Sequence, residues 1–561
     1  MRALALGFAA LLAVAVPATL TAWPDRASAE CATRSVQWVF FRNHGRDAAS
    51  DSARAAAAWN VSPRALARRA RAAAERPRNT LTDGSSFDSR DLDPETAYIE
   101  SVEATGARVR NVSRWLNAVS VEADSGALAR IQAMPFVSET RPVARGTVDS
   151  GNATDDGSYG PSEHQLEMLG VPEAHAMGFR GEGVLIGVLD SGFDLDHEAF
   201  DQLSVRAQRD FVYHDDDTSF DPRQDAPGQS SHGTTVLSAI AGYAPGKIVG
   251  PAYRADYLLA KTERIGSETP AEEDAWCAAI EWVEALGADL VTSSLSYPSW
   301  YQPQDLDGRT AVITRAADIA AEHGLLIVNS MGNYGPRERS LSPPADSPDV
   351  IAVGSVDWNG RLSGFSSTGP TWDGRVKPDL VAMGSGVTLA MDLTRNRYGR
   401  GNGTSFSTPL IAGCAALVMS AHPDWGPETV RDALVMSGDR ASRPDNRYGW
   451  GMPNARDAIL YPSVEGAITD LHTREPLRNA RVAWEPSPEG RVDSLVAAPG
   501  DSPPRGEVRS DSTGAYEIPN LPAGTYRLRV DAPGYFEWVS EPLQVPPSLG
   551  DVNAALRYRG E

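Results

Sequence analysis

The pattern of hydrophobic and polar residues changes character along the chain. Between about residues 159 and 461, short β-branched runs alternate with longer stretches whose apolar residues recur at helical spacing. Strands are predicted at 184–189, 258–261, 290–294, 325–329 and 351–356, and helices at 233–241, 271–286, 311–323, 409–419 and 428–435. This alternation predicts an α/β domain, a mainly parallel sheet covered by helices, with functional groups at the carboxyl ends of its strands.

The region before it, residues 30–150, has the pattern of a small α+β domain. Predicted strands lie at 36–41, 108–112, 115–121 and 136–141, and predicted helices begin at 62–63 and 93–94 or cover 126–133. Both helix starts put Pro directly after a capping Ser or Asp. Residues 143–160, rich in Gly, Ser and Asp, are expected to form an exposed linker that is easily cut.

The last region, residues 462–561, loses the helical spacing. Predicted strands at 464–469, 480–485, 515–518, 526–532 and 551–558 are joined by turns rich in Gly and Pro. A small β-sandwich is the expected fold.

The first 29 residues are typical of a signal peptide. A basic Arg2 precedes an apolar run, and Ala27-Ser28-Ala29 provides small residues for cleavage. The run is shorter than the roughly 20 residues of a membrane-spanning helix, so no membrane span is expected. The protein is predicted to be secreted or extracellular, and association with the cell surface is left open. Glu30 disfavours attachment of lipid to Cys31, because lipidation motifs have a small residue there.

Composition narrows the classes of function. A chain of 561 residues is too long for one core, and its net charge of -22 makes nucleic-acid binding unfavourable. Three cysteines exclude a disulfide scaffold or a cysteine-rich zinc site as the organising principle. Cys277 and Cys414 lie in predicted helices and are expected to be buried free thiols, although a disulfide between them stays open.

Three motifs in the α/β region carry candidate chemistry. Asp190 ends an apolar strand, His232 opens a helix, and Ser405 opens another helix in the motif Gly-Thr-Ser-Phe-Ser-Thr-Pro. Each has an ordinary alternative: a turn residue, an incidental histidine and a helix N-cap. Together they follow the order Asp, His, Ser of one class of serine-hydrolase triad.

The residue types suit peptide hydrolysis. A serine hydroxyl is a weak nucleophile, so His232 must take its proton, while Asp190 orients the imidazole and stabilises its charged form. Ser405 at a helix N-terminus would place backbone N–H groups beside the oxyanion. Asn333, which follows an apolar strand and a Gly, is predicted to supply a second donor, unless it only turns the chain.

These motifs make the chain resemble the subtilases, the subtilisin-like serine proteases, from about residue 183 to 455. Further matching stretches are 250–253, 287–290, 365–370 and 448–451. The resemblance implies a triad of Asp190, His232 and Ser405 and an oxyanion hole containing Asn333. It also implies that the substrate backbone pairs with an edge strand at Ser294, Leu295 and Ser296. Ser296, Met331 and Phe406 depart from residues common in the family, which leaves the specificity pocket undefined.

The flanking regions also resemble known domains. Residues 30–150 resemble the ferredoxin-like inhibitory propeptide of subtilases, an intramolecular inhibitor and folding aid. This region carries 17 Arg against 15 acidic residues, a net charge of +2, whereas residues 151–561 carry -25. An independent binding domain retained in the mature enzyme is the alternative. Residues 462–561 resemble a carboxypeptidase regulatory-like or transthyretin-like sandwich, with stabilisation, adhesion or substrate tethering left open.

Two charged segments have two interpretations each. The basic helix containing Arg64, Arg68, Arg69 and Arg71 is expected to present a solvated face rather than a polyanion site. The run 214–217, His-Asp-Asp-Asp, is expected to be a solvated loop rather than a calcium site. Subtilases often bind calcium, so a structural calcium ion stays open, with no ligands assigned.

The sequence therefore predicts a secreted serine endopeptidase, made as a zymogen, that cleaves proteins or peptides through an acyl-enzyme. This chemistry requires no cofactor. The alternative is a catalytically silent binding or adhesion protein of the same fold, whose expected sign is the loss of a triad residue or of Asn333. All four residues are present.

Overall fold

The computed structural model describes residues 34–45, 61–75, 89–143, 159–265, 272–297, 301–487, 505–521, 524–545 and 552–560. The predicted signal peptide, Cys31 and nearly all of the predicted linker lie outside the described residues. We describe the fold as an N-terminal domain (34–143), a middle domain (159–461) and a C-terminal domain (462–560).

The N-terminal domain is built on one antiparallel sheet. Its elements are β1 (Ser35–Phe41), α1 (Pro63–Glu75), α2 (Thr96–Glu103), β2 (Arg108–Ser113), β3 (Ala118–Ala123), α3 (Ser125–Gln132) and β4 (Val137–Pro142). The strand order is β2-β3-β1-β4. Because side chains alternate along β1, Val39 and Phe41 pack with α2 and α3, whereas Trp38 and Phe40 pack against the middle domain. The sheet is therefore enclosed between its own helices and the middle domain.

Two details of this domain differ from prediction. The cap at Ser62 is confirmed, because its Oγ accepts a hydrogen bond from Ala65 N at 3.2 Å, but α2 begins at Thr96, later than residues 93–94. The strand predicted from residue 115 begins at Ala118. Asn117 adopts a φ of 45°, a left-handed conformation that interrupts extended backbone. Trp115 is thereby released from the sheet to pack against another part of the molecule.

The middle domain contains a seven-stranded sheet. Its elements are α4 (Glu163–Glu167), α5 (Val171–Ala176), β5 (Leu185–Asp190), β6 (Ser204–Asp210), α6 (Ser231–Ala241), β7 (Tyr243–Ala244), β8 (Ile248–Val249), β9 (Asp256–Lys261), α7 (Glu273–Leu286), β10 (Leu290–Ser293), α8 (Val312–Glu322), β11 (Leu326–Ser330), β12 (Val350–Val356), β13 (Leu380–Met383), β14 (Ser385–Ala390), β15 (Tyr398–Asn402), α9 (Thr404–Ala421), α10 (Pro427–Met436) and α11 (Ala455–Ile459). The sheet order is β13-β12-β11-β10-β5-β9-β6, and every neighbouring pair is parallel. Helices α6 and α9 cover one face and α7 and α8 the other. The predicted parallel sheet covered by helices is confirmed.

Two strands of this sheet were not predicted. Both lie at its edges, β6 and β13. β6 has the mixed sequence Ser-Val-Arg-Ala-Gln-Arg-Asp, which carries no apolar run. β6 is partly solvated, so its sequence lacks the continuous hydrophobic signal of β5 or β12. β13 has the apolar sequence Leu-Val-Ala-Met and is buried, but it is only four residues long.

The C-terminal domain is a β-sandwich around one hydrophobic core. Its strands are β16 (Val464–Asp470), β17 (Arg481–Pro486), β18 (Gly506–Arg509), β19 (Ala515–Ile518), β20 (Gly524–Asp531), β21 (Trp538–Val539), β22 (Leu543–Val545) and β23 (Ala554–Leu556). One sheet has the order β19-β16-β23, and the other is built on β17 and β20. Val482, Tyr526 and Leu528 are among the buried residues between them. The predicted sandwich is confirmed, although β16 and β23 are parallel.

Candidate active site

Asp190 and His232 form the first half of the site. Asp190 is the last residue of β5, which lies between β10 and β9 in the sheet, and its side chain is fully buried. His232 is the second residue of α6. Its Nδ1 lies 2.8 Å from Asp190 Oδ1, and because a carboxylate can only accept, Nδ1 is the donor. Asp190 Oδ1 also accepts a hydrogen bond from Ser191 N at 2.7 Å.

Ser405 and Ser294 make a reciprocal pair of hydrogen bonds. Ser405 is the second residue of α9, and its Oγ donates to Ser294 O at 3.2 Å. In return, Ser294 Oγ donates to Ser405 O at 2.8 Å. In a regular helix Ser405 O would accept from the N–H of residue 409, but Pro409 has none. The Ser294 hydroxyl therefore satisfies a carbonyl that the helix leaves unpaired.

The start of α9 agrees with one prediction and differs from another. The prediction that Ser405 opens a helix is confirmed. The helix was predicted over 409–419, with Pro409 at its first position, but it begins at Thr404 and contains Pro409. Pro is usually excluded from helix interiors because it removes a hydrogen bond. Here Ser405 O accepts a hydrogen bond from Ser294 Oγ instead. Pro409 is therefore tolerated inside the helix.

No hydrogen bond joins His232 to Ser405 in this structure. Within the described residues, His232 Nε2 and Asp190 Oδ2 are buried and have no hydrogen-bond partner. Phe406, next to Ser405, lies with its ring centroid 6.1 Å from that of His232. The aspartate–histidine bond is thus formed, while the Ser405 hydroxyl points to Ser294 O instead of His232.

Asn333 is hydrogen-bonded to Thr404, the residue before Ser405. Its Oδ1 accepts hydrogen bonds from Thr404 N at 2.9 Å and Thr404 Oγ1 at 3.0 Å. A Cβ atom on Gly403 would lie 3.7 Å from Asn333 Nδ2 and 3.6 Å from Ser405 N. Two N–H donors therefore border one small space that glycine leaves empty, as an oxyanion would require.

Comparisons with known proteins agree with this geometry. The model described as the Subtilase family matches residues 181–451. Subtilisin E from Bacillus subtilis (strain 168) is 30% identical over 362 residues, which cover 64% of this chain and 84% of that protein. The protein belongs to the subtilase family. Subtilisin from Bacillus pumilus is 32% identical over 296 residues, covering 52% of this chain and 97% of that protein.

The rest of this subtilase matches two other domain models. A peptidase S8 propeptide domain, described for Bacteroidota, matches residues 36–156, and a carboxypeptidase regulatory-like domain matches residues 463–557. The crystal structure of fervidolysin from Fervidobacterium pennivorans, described as a keratinolytic enzyme related to subtilisin, is similar with a TM-score of 0.54. Its identity is 18%, over 83% of this chain and 77% of that chain, so this likeness shows the fold. The protein is a subtilisin-like serine peptidase with a propeptide domain, and we call the middle domain its catalytic domain.

The predicted substrate strand continues from β10. Leu295 O accepts hydrogen bonds from Asn329 Nδ2 at 3.2 Å and Ser330 Oγ at 3.4 Å, which fix this segment to the neighbouring strand. Ser296 follows and is 6% exposed. Because β5 ends at Asp190 and lies between β10 and β9, the segments that follow β10 and β9 are about two strand spacings, roughly 10 Å, apart. A gap of that width would accommodate one extended strand, and pairing of the substrate with Ser294, Leu295 and Ser296 stays a prediction.

Three further residues beside the site were not predicted from the sequence. Gln229 Nε2 donates to Ser191 O and Glu263 O, each at 2.6 Å, so the segment after β9 is fixed beside the His232 helix. Tyr297 Oη donates to the Glu263 carboxylate, which joins the segments that follow β10 and β9. Burial, with the nearby Glu272, raises the pKa of Glu263 well above its usual range. The sequence around Glu263 gives no sign that it links the segments after β9 and β10, because a single Glu after a strand is common.

The remaining predictions concern cysteines, metal and membrane. Cys277 and Cys414 are buried free thiols, and burial raises the pKa of Cys414 to about 12. Residues 214–217 are exposed, and the described part of the chain contains no group of three metal-ligating side chains suited to an ion. Calcium ligands stay unassigned. Among the described helices, α9 alone is long and apolar enough to cross a membrane, but 83% of it is buried in the core.

Proposed function

We propose that this subtilase is a secreted serine endopeptidase, made as a zymogen, that cleaves proteins or peptides through Asp190, His232 and Ser405. The observation that carries the proposal is the 2.8 Å bond between Asp190 Oδ1 and His232 Nδ1. Because Nδ1 holds the proton in the neutral ring, Nε2 is a free acceptor. It is the atom that must take the proton of the nucleophile.

Substrate binding would release the nucleophile. A substrate strand in the gap beside Ser294 would donate a backbone N–H to Ser294 O, where the Ser405 hydroxyl now donates. The displaced hydroxyl then turns to His232 Nε2, whose lone pair has no other hydrogen-bond donor among the described residues. The serine–histidine bond thus forms only when substrate is present, which agrees with the loose geometry common in free enzymes.

The chemical steps follow from these positions. His232 takes the proton of Ser405 as Oγ attacks the scissile carbonyl, and Asp190 stabilises the resulting imidazolium. Ser405 N and Asn333 Nδ2 donate to the oxyanion. His232 then gives its proton to the leaving amine, and water hydrolyses the acyl-enzyme by the reverse sequence. Every step uses side chains or backbone of this chain.

Export and zymogen formation rest on the N-terminal region. Residues 1–29 have the pattern of a signal peptide, which supports a secreted or extracellular location. The propeptide domain packs on the catalytic domain through Trp38 and Phe40, as an intramolecular inhibitor and folding aid would.

The Ser405→Ala precursor tests this proposal. We expect wild-type protein to cut itself between about residues 141 and 162, whereas the variant stays full length and hydrolyses no peptide. A folded wild-type protein that neither cuts itself nor hydrolyses peptides would instead be the catalytically silent binding protein. Peptide hydrolysis by purified Ser405→Ala protein would rule out the proposed nucleophile.

A further inference from the structure

Helix α1 lies outside the compact core of the propeptide domain. That core consists of the four-stranded sheet and the helices α2 and α3, which bury Val102 and Ile131 against Val119. α1 is inserted between β1 and α2, and it contacts α7 and α10 of the catalytic domain. The propeptide domain therefore touches the catalytic domain with its sheet and the turn at Trp115, and separately with this helix and Arg90, which pairs with Glu322.

The structure corrects the prediction that α1 presents a solvated basic face. Arg68 is 2% exposed and Arg69 is 5% exposed. Their acidic partner, Glu284, lies on α7 and is more than two hundred positions away in the chain. The prediction was wrong because a local charge pattern holds no information about a partner so distant in sequence.

Two arginines of α1 bind the carboxyl-terminal ends of catalytic-domain helices. Arg68 Nε donates to His323 O at 3.2 Å at the end of α8, and its other nitrogens donate to Ala288 O and to Glu284 beside the end of α7. Arg64 Nε donates to Gly287 O at 3.0 Å. The last carbonyls of a helix lack partners within it and carry partial negative charge, so guanidinium groups suit both ends.

Arg69 completes a buried ionic cluster that crosses the domain boundary. It donates to both oxygens of Glu284, each at 2.9 Å, and to both oxygens of Asp91, at 3.0 and 3.1 Å. Burial acts to raise the pKa of Glu284, but Arg68 and Arg69 outweigh it and hold that pKa below its ordinary value. Two cations and Asp91 thus come from the propeptide domain, and Glu284 from the catalytic domain.

The catalytic domain is shaped to receive this helix. Ser62 N, just before α1, donates to Ala285 O at 2.8 Å, so backbone joins backbone at the contact. A Cβ atom on Gly287, whose φ is 93°, would lie 2.7 Å from Arg64 Cβ, a forbidden approach. Only glycine there lets the helix come so close.

We propose that α1 is a second docking element of the propeptide domain, which binds the paired ends of α7 and α8 through Arg68, Arg69 and Glu284 and slows departure of the propeptide after the connecting chain is cut. The inference rests on the proposed zymogen. In this proposal Arg68 and Arg69 help to keep the propeptide bound after cleavage. They act in addition to the contacts that the propeptide sheet makes with α7. Removing one partner of a buried ion pair leaves the charge of the other partner buried and uncompensated. Loss of either partner should therefore weaken propeptide binding on the order of 10²-fold.

The test measures release without requiring the protein to cut itself. A recognition sequence for an added protease is inserted between residues 148 and 159 of the full-length Ser405→Ala protein. After that protease cuts, size-exclusion chromatography follows how fast the propeptide domain separates. We expect separation on the order of 10²-fold faster in Arg68→Gln/Arg69→Gln and in Glu284→Gln than in the parent.

A matched control and a milder variant complete the test. Arg130→Gln removes an exposed arginine of α3 on the far side of the propeptide sheet and should separate at the parental rate. If the double variant fails to fold, Arg64→Gln, whose side chain is 43% exposed, should still separate several-fold faster. Parental rates in folded variants, or equal acceleration by Arg130→Gln, would overturn the docking role. Failure of wild-type protein to cut itself would instead refute the zymogen and leave this measurement valid.

Discussion

The active site differs from the arginine cluster at the propeptide contact in how its buried polar atoms are bonded, although Trp115 Nε1 and His323 Nδ1 at the same contact are also without partners among the described residues. At the contact, Arg68 and Arg69 are surrounded by carboxylates and carbonyls. In the active site, His232 Nε2 and Asp190 Oδ2 are buried without hydrogen-bond partners among the described residues. An unpaired buried polar atom costs about 1–3 kcal/mol. Arg68 and Arg69 make all the hydrogen bonds that a tightly bound contact needs. His232 Nε2, which must take and give a proton in the proposed mechanism, is left without a hydrogen-bond partner in the part of the chain that the structure describes.

The largest expected effect is at the bonded pair of Asp190 and His232. In Asp190→Asn the amide can donate to His232 Nδ1, which moves the ring proton to Nε2, where it cannot accept from Ser405. We expect kcat to fall roughly 10⁴-fold with the fold intact. Steady-state kinetics on a peptide substrate measures this, and Asp215→Asn, in the exposed loop, is the matched control and should be unchanged. A loss below tenfold would mean that Asp190 does not orient His232.

Next in size is the oxyanion donor. Asn333→Ala removes the amide that faces Ser405 N across the space at Gly403. We expect kcat to fall about 10²–10³-fold, with KM little changed, because the donor acts on the transition state. Kinetics separates kcat from KM. A change confined to KM would place Asn333 in substrate binding and not in the oxyanion hole.

The third prediction concerns pH and the propeptide contact. Glu281 is buried under Ser113 and Arg114, and burial raises its pKa to about 7. Once the propeptide leaves, that pKa should return towards its ordinary value of about 4.3. The protonated form therefore favours the complex, so this contribution is complete below about pH 4.3 and is lost as pH rises through 7.

Glu281→Gln isolates this contribution. His323 lies under the same domain, and burial together with Arg69 lowers its pKa well below the usual range, which acts in the opposite direction. Since Gln mimics the protonated form at every pH, the release rate of the parent relative to Glu281→Gln should rise roughly tenfold or more between pH 5 and 8. Release of the cut propeptide measures it. A flat ratio would show that Glu281 is ionised in the complex.

The smallest effect tests the reciprocal bonds at the nucleophile. Ser294→Ala leaves Ser405 O without a donor, since Pro409 has no N–H, and kcat should fall roughly tenfold. Adding Pro409→Ala supplies an N–H from the helix itself, so the double variant should recover most of the activity. Pro409→Ala alone is the control and should be close to wild type. Absence of recovery in the double variant would mean that Ser294 acts other than through this carbonyl.

The two regions also differ in how well the sequence predicts them. Asp190, His232 and Ser405 stand in short motifs at strand and helix ends, and the fold joins Asp190 to His232. The role of Ser405 stays a prediction. The predicted range 409–419 began too late because Ser294, in the segment after β10, replaces the bond that Pro409 removes. The arginines of α1 were misassigned because Glu284 becomes their partner only after folding. Local sequence thus predicts elements and motifs, but not polar contacts between distant segments.

The most direct measurement of the central claim is mapping where a serine-directed inhibitor reacts. Mature protein is treated with a fluorophosphonate, digested and analysed by mass spectrometry, beside an Asp190→Asn sample treated for the same time. The account predicts one adduct, on the peptide that contains Ser405, formed rapidly in wild type and far more slowly in the variant. No adduct on folded wild-type protein, or an adduct on a different serine, would contradict it.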